Sequence, residues 1–191
     1  MKVSNSDISE RVIRTTGELL YRNGLKGWNM DLLAQETGLA KNTLYKIIGS
    51  KESLLEEVVL SKMRRDHVEI DKILHEEKDY TTAVSRITER FADLVKNSFD
   101  YVIPDIFTEY PGIEKNVRTS YKEIYASLIA FIIKGMEQGL MRDDVSPEFI
   151  ISLVEGIILN YLRSGYTGDA FERDFQCAMD CLVNGLRKRT A

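Results

Sequence analysis

The chain has 191 residues, of which 43% are hydrophobic and 29% charged, and a net charge of −4. That length suits a small domain plus a larger one, or a single elongated unit, and the apolar share is enough for a packed core. Three prolines exclude a disordered chain, the polar start MKVSNSDISE excludes a signal peptide, and the longest apolar stretch, Ile124 to Ile133, is too short to span a bilayer.

A soluble, cytoplasmic protein with no membrane partner is therefore expected. The charge is unevenly spread. Residues 1–65 hold eleven Lys and Arg against eight Asp and Glu, a net of +3, and the remainder carries −7. A basic head on an acidic body fits a protein that touches phosphate at one end only.

No segment alternates with period two between hairpin turns, so the chain reads as all-α. The first helix spans about Asp7 to Tyr21, with Val12, Thr16, Leu19 and Leu20 on its buried face. Gly24 and Gly27 break the chain, and Trp28 helps to seal a small core. Asn29 is the N-cap of a short helix carrying Leu32, Leu33 and Ala34. Gly38 ends that helix at the position where positive φ is common. A second short helix follows. Leu44 turns inwards to meet Leu39, and Lys41, Asn42, Thr43, Tyr45 and Lys46 form a polar face without an acid. Ser50 caps a third helix, which runs from Lys51 to about Glu76 and links the two halves of the chain. Lys51 in its first turn opposes the helix dipole, a placement that makes sense beside a phosphate backbone.

Two short helices about a glycine turn, then a long helix, form the layout of a helix-turn-helix, which lays its second helix in the DNA major groove. The stretch from Val12 to Leu55 resembles the DNA-binding domain of the tetracycline-repressor-type (TetR) regulators. The matching pieces are Leu19-Leu20, Gly24, Leu33-Ala34, Thr37-Gly38-Leu39, Thr43-Leu44-Tyr45 and Ser50-Lys51-Glu52 with Leu54-Leu55. Three positions depart from that pattern. Ala40 stands where a capping Ser or Thr is usual, Ile47 where a His or Tyr is common, and Ile48 where Phe is usual. The resemblance implies about nine helices, a DNA-binding domain over 1–50, and an effector-binding and dimerisation domain over 51–191. On this reading Asn29, Lys41, Asn42, Thr43, Tyr45, Lys46 and Lys51 are the DNA-binding residues.

Further along, Asp79 or Thr81 caps a helix to about Asn97, and Pro104 and Pro111 bracket a short segment, Asp105 to Tyr110. A long helix covers about Ile113 to Gln138. Ser146-Pro147 starts the next, which reaches Ser164, and the last runs from Ala170 to about Lys188. The resemblance implies a pocket for a small, apolar effector in the aromatic middle of the chain. Phe91, Tyr101, Phe107, Tyr121 and Tyr125 are its candidates, although each ring taken singly reads better as ordinary core.

The last two helices carry apolar residues on more than one face, which marks a subunit interface as well as a core. Ile150, Val154, Ile158, Tyr161, Phe175, Met179 and Leu182 are the candidate interface residues. Cys177 and Cys181 read as small hydrophobes in that interface. With His67 and His75 distant in sequence they make no metal site, and no cofactor is called for. There is no phosphate-binding Gly-rich loop, nucleophile elbow or metal-type His/Glu pair, so no enzyme is expected.

The expected function is a homodimeric regulator that reads a palindromic operator in double-stranded DNA and answers to a small-molecule effector. The alternative is a helical small-molecule-binding or scaffold protein that reads no DNA sequence.

Overall fold

The computed structural model describes residues 5–96, 99–164 and 169–188, with side chains except at 5, 94–96, 121–124, 162–164 and 169–172. The described residues are helical, with ten α-helices, one 3-10 turn and no strand; a single isolated bridge joins Met141 and Arg187. The count is close to the nine expected. The chain divides into two compact units, residues 1–65 with 99–120, and residues 66–98 with 121–191.

The first unit holds α1 (Asn5–Gly27), α2 (Met30–Thr37), α3 (Lys41–Ile48) and the start of α4 (Lys51–Glu76). It also holds the 3-10 turn Phe99–Val102, α6 (Ile103–Glu109) and most of α7 (Pro111–Ile124). At Gly24 the backbone leaves the helical range, at φ 66° and ψ 178°, so α1 is two helical pieces meeting at a kink, and the break expected at this glycine is present. Val12, Leu19, Leu20, Leu33, Leu44, Leu54, Leu55, Val58 and Val59 are each at most 1% exposed. Their helical spacing on four elements produces one core, joined by Val102, Ile106, Ile113 and Val117 from the second segment.

Gly17 admits the Phe99 ring, which an added Cβ would meet at 3.2 Å. Lys62 and Asp100, both buried, form an ion pair at 2.9 Å that ties α4 to the 3-10 turn. Tyr101 donates its hydroxyl hydrogen to the carbonyls of Tyr21 at 2.7 Å and Leu20 at 3.2 Å, near the α1 kink. The expected division at residue 50 separates the helix-turn-helix from α4. By packing, α4 as far as Arg65 and residues 99–120 gather with it.

The second unit holds the rest of α4, α5 (Tyr80–Lys96), α8 (Ala126–Glu137), α9 (Pro147–Ser164) and α10 (Asp169–Leu186). The helix expected over Ile113 to Gln138 is broken in two at Tyr125, whose φ of −92° and ψ of 3° leave the helical range. Asp79 caps α5 by accepting from the Thr82 amide at 2.8 Å, and Ser146 caps α9 by accepting from Phe149 at 3.2 Å. Ile70, Ile73, Ile87 and Leu128 form one core cluster; Ala92, Phe175 and Met179 form a second; and Ile132, Ile150 and Leu186 form a third. No helix among the described residues is long and apolar enough to cross a membrane.

Candidate nucleic-acid interface and effector cavity

In the first unit the side chain of Asn29 accepts from the amides of Asp31 at 2.9 Å and Leu32 at 3.0 Å, so its oxygen serves as the N-cap of α2. Gly38, at φ 66°, closes α2 by donating to Ala34 and Gln35. The turn delivers α3 with Leu44 fully buried and Lys41, Asn42, Thr43, Tyr45 and Lys46 exposed. All five expected contact residues of α3 are thus exposed. Ile47 and Ile48 are half-buried and anchor the end of the helix.

No side chain caps α3. Ala40 has the extended backbone of an N-cap, at φ −65° and ψ 144°, but its methyl group cannot accept a hydrogen bond. Lys41 lies 2.6 Å from Asp31 of α2, an exposed pair that reduces the positive charge on this face. At the start of α4, Ser50 accepts from the Ser53 amide at 2.9 Å. The Lys51 ammonium lies 5.1 Å from the centre of the Trp28 ring, so a buried indole holds it in place.

The second unit contains a cavity of ≈110 Å³. Of the aromatic candidates, Phe91 and Tyr125 line it. Tyr101 and Phe107 do not, since both belong to the first unit. The Tyr121 side chain lies outside the described residues. Phe131, which belongs to the same aromatic stretch, also lines the cavity, as do Tyr80, Met141 and Glu155, which sequence reasoning missed. Tyr80 was hidden by its place beside the α5 cap. Glu155, however, stands as the one charge in the apolar run from Phe149 to Leu159, and that contrast could have flagged it. Tyr80 stacks on Phe131 with ring centres 4.3 Å apart and planes 13° from parallel. Its hydroxyl points at the Met141 sulfur, 2.6 Å away, and burial pushes its pKa up to about 12. No group of three or more His, Cys, Asp or Glu among the described residues could hold a metal ion.

The seven expected interface residues pack within one protomer. Phe175 and Met179 meet Val154, Ile158 and Tyr161, and Ile150 meets Leu182. The outward face of α9 carries Phe149 at 51% exposure, Leu153 at 37% and Gly156, spaced four and three residues apart. On α10 the exposed residues include Cys177, Cys181 and Gly185 at four-residue steps. The Cys177 thiol is raised above its ordinary pKa, chiefly by the neighbouring Cys181.

This arrangement is the fold of the TetR-family transcriptional regulators. Solved structures similar to the chain include the TetR-family regulator PfmR from Thermus thermophilus, at 23% identity and a TM-score of 0.71 over 93% of this chain and 99% of that one. A TetR-family regulator from Pectobacterium atrosepticum matches at 17% identity and a TM-score of 0.75 over the full length of both chains. One from Haloarcula marismortui matches at 16% identity and 0.74, covering 95% of this chain and 99% of the other. No family model and no curated protein matches the sequence.

Proposed function

We propose that the protein is a homodimeric, sequence-specific DNA-binding regulator, acting as a repressor released by a small-molecule effector. The observation that carries this reading is the outward face of α3. Five polar side chains, two of them lysines and none acidic, are presented on a helix that a left-handed glycine and a buried leucine hold beside the Asn29-capped α2 in a helix-turn-helix.

Each subunit lays α3 in a major groove. Lys41, Asn42 and Lys46 face base edges, and Thr43, Tyr45 and Lys51 bind phosphates. Asn29 acts by capping α2, with its amide group left to reach the backbone. Two subunits place two such helices on one side of a palindrome, about one helical turn or slightly more apart. An effector in the second unit acts through α4, which runs unbroken from Lys51 into that unit, provided that it binds one arrangement of the dimer better than another.

The test is selection of bound sequences from a random DNA pool at near-physiological salt. A palindromic consensus is expected. Binding that is salt-sensitive but indifferent to sequence would overturn the reading in favour of a helical ligand-binding or scaffold protein, which the uncapped α3 and the Lys41–Asp31 pair favour.

A further inference from the structure

The cavity of the second unit offers a ligand almost nothing but apolar surface. Its walls come from α5, α8, α9 and α10, and four aromatic rings, Tyr80, Phe91, Tyr125 and Phe131, stand among aliphatic side chains. The described lining residues include no Lys, Arg or His. The polar side chains among them already have partners. Thr88 donates its hydroxyl hydrogen to the Val84 carbonyl at 2.9 Å, and Tyr80 donates to the Met141 sulfur at 2.6 Å. Tyr125 and Glu155 each engage another group of the protein, so the one carboxylate of the lining is not left waiting for a ligand.

Charge and size narrow what can enter. An anion meets no cation there. An organic cation gives up its water for a lining that supplies no free carboxylate, and burying an unmatched charge is costly. A ligand rich in hydroxyl or amide groups leaves them without partners, and each unpaired group weakens binding. A neutral hydrocarbon loses nothing polar and gains the transfer of its own surface out of water. A ring gains further, because offset-stacked and edge-to-face aromatic pairs contribute beyond the area they bury. The stacked pair Tyr80 and Phe131, with Phe91, supplies such partners. Size sets the rest. An apolar cavity of about 150 Å³ takes up benzene, so ≈110 Å³ suits one ring with short substituents and is too small for a fused polycycle.

We propose that this cavity binds a small neutral aromatic hydrocarbon, one ring with short alkyl substituents, held among the rings of Tyr80, Phe91, Tyr125 and Phe131 and the aliphatic side chains of α9 and α10. The proposal rests on the effector reading above and gives it a chemical class.

The experiment compares three probes that share one ring and differ in charge: toluene, benzylammonium and benzoate. Binding of each to the full-length protein is measured by titration calorimetry at neutral pH. Toluene is expected to bind one molecule per chain, at least tenfold more tightly than either ion, with a negative heat-capacity change. Val154 lines the cavity, so Val154→Phe fills part of it and is expected to weaken toluene binding at least tenfold. Val84→Phe fills it from the α5 wall and serves if the first variant fails to fold. Toluene affinity unchanged in a folded variant would place the ligand elsewhere and overturn the proposal. If either ion binds as tightly as toluene, the ligand class is overturned, and loss of that binding in the filled variant keeps the effector cavity. If no probe binds, both the class and the effector reading fail.

Discussion

Two positions in the helix-turn-helix show how single residues set the local energetics. Ala40 already holds the backbone of an N-cap and lacks only the acceptor atom, so Ala40→Ser can supply the missing bond without rearranging the turn. The substitution is expected to stabilise the protein by about 0.5–1 kcal/mol, read as a higher denaturation midpoint with an unchanged slope. No gain would mean that the free amides of α3 find another partner. Lys51 is held over Trp28 at 5.1 Å, which limits the rotamer freedom it would lose on meeting a phosphate. Lys51→Ala is therefore expected to weaken binding to every DNA sequence alike and to reduce the salt slope by about one unit. An unchanged slope would remove Lys51 from the interface. These positions were legible in the sequence because capping and turn formation depend on neighbours three or four residues away. The pairing of Lys41 with Asp31 was not, since it depends on how α2 and α3 cross.

At the scale of the helices, the second unit turns on a close approach of α5 and α8. Gly135 is buried on α8, and a Cβ built there would stand 2.1 Å from the Tyr80 hydroxyl oxygen and 2.2 Å from the ring carbon that bears it. The absent side chain is what lets Tyr80 lie flat on Phe131. Gly135→Ala forces the ring aside. Overpacking of this kind costs about 1–3 kcal/mol, against about 1 kcal/mol returned by the better helix propensity of alanine. The expected net loss is up to about 2 kcal/mol. In a Tyr80→Ala background the clash is gone and only the propensity remains, so the same substitution should become stabilising. A double-mutant cycle measured by chemical denaturation checks this. A loss of equal size in both backgrounds would show that the cost has another source. Because Tyr80 lines the cavity, the single variant should also weaken any ligand bound there. Helix boundaries set by local signals were legible in the sequence, as the Asp79 and Ser146 caps and the Lys51–Glu76 span of α4 show. The break at Tyr125 was not legible, because no Gly or Pro marks it. The gathering of residues 99–120 with the first unit was hidden as well, because it depends on long-range burial of Val102, Ile106, Ile113 and Val117.

For the whole molecule the decisive question is symmetry. One α3 reads one half-site, so a palindrome-reading protein must bring a second copy. The sequence shows apolar crowding on the last two helices but cannot divide it between core and interface. Inside one protomer, Phe175, Met179 and Ile150 have almost no free surface. In the proposed dimer the partner would rest on the other face, where Phe149 and Leu153 of α9 are exposed and where Gly156 leaves room for close helix approach. Leu153→Glu puts a charge on that face at a residue that is 37% exposed in the single chain. It is expected to convert a dimer into a folded monomer, with its helix content retained in circular dichroism and a halved mass in sedimentation equilibrium. Affinity for a palindromic site should fall at least tenfold, since each subunit then binds its half-site without the help of the other. The thiols give an independent reading. Cys177 and Cys181 are exposed on α10 in the protomer, and a partner lying across both helices would cover them. Labelling of the thiols at a fixed alkaline pH should then be slow in the dimer and faster in the Leu153→Glu variant. A dimer that survives the substitution would place the interface elsewhere. Equal labelling rates alongside a lost dimer would confine the interface to α9 and leave the cysteines outside it.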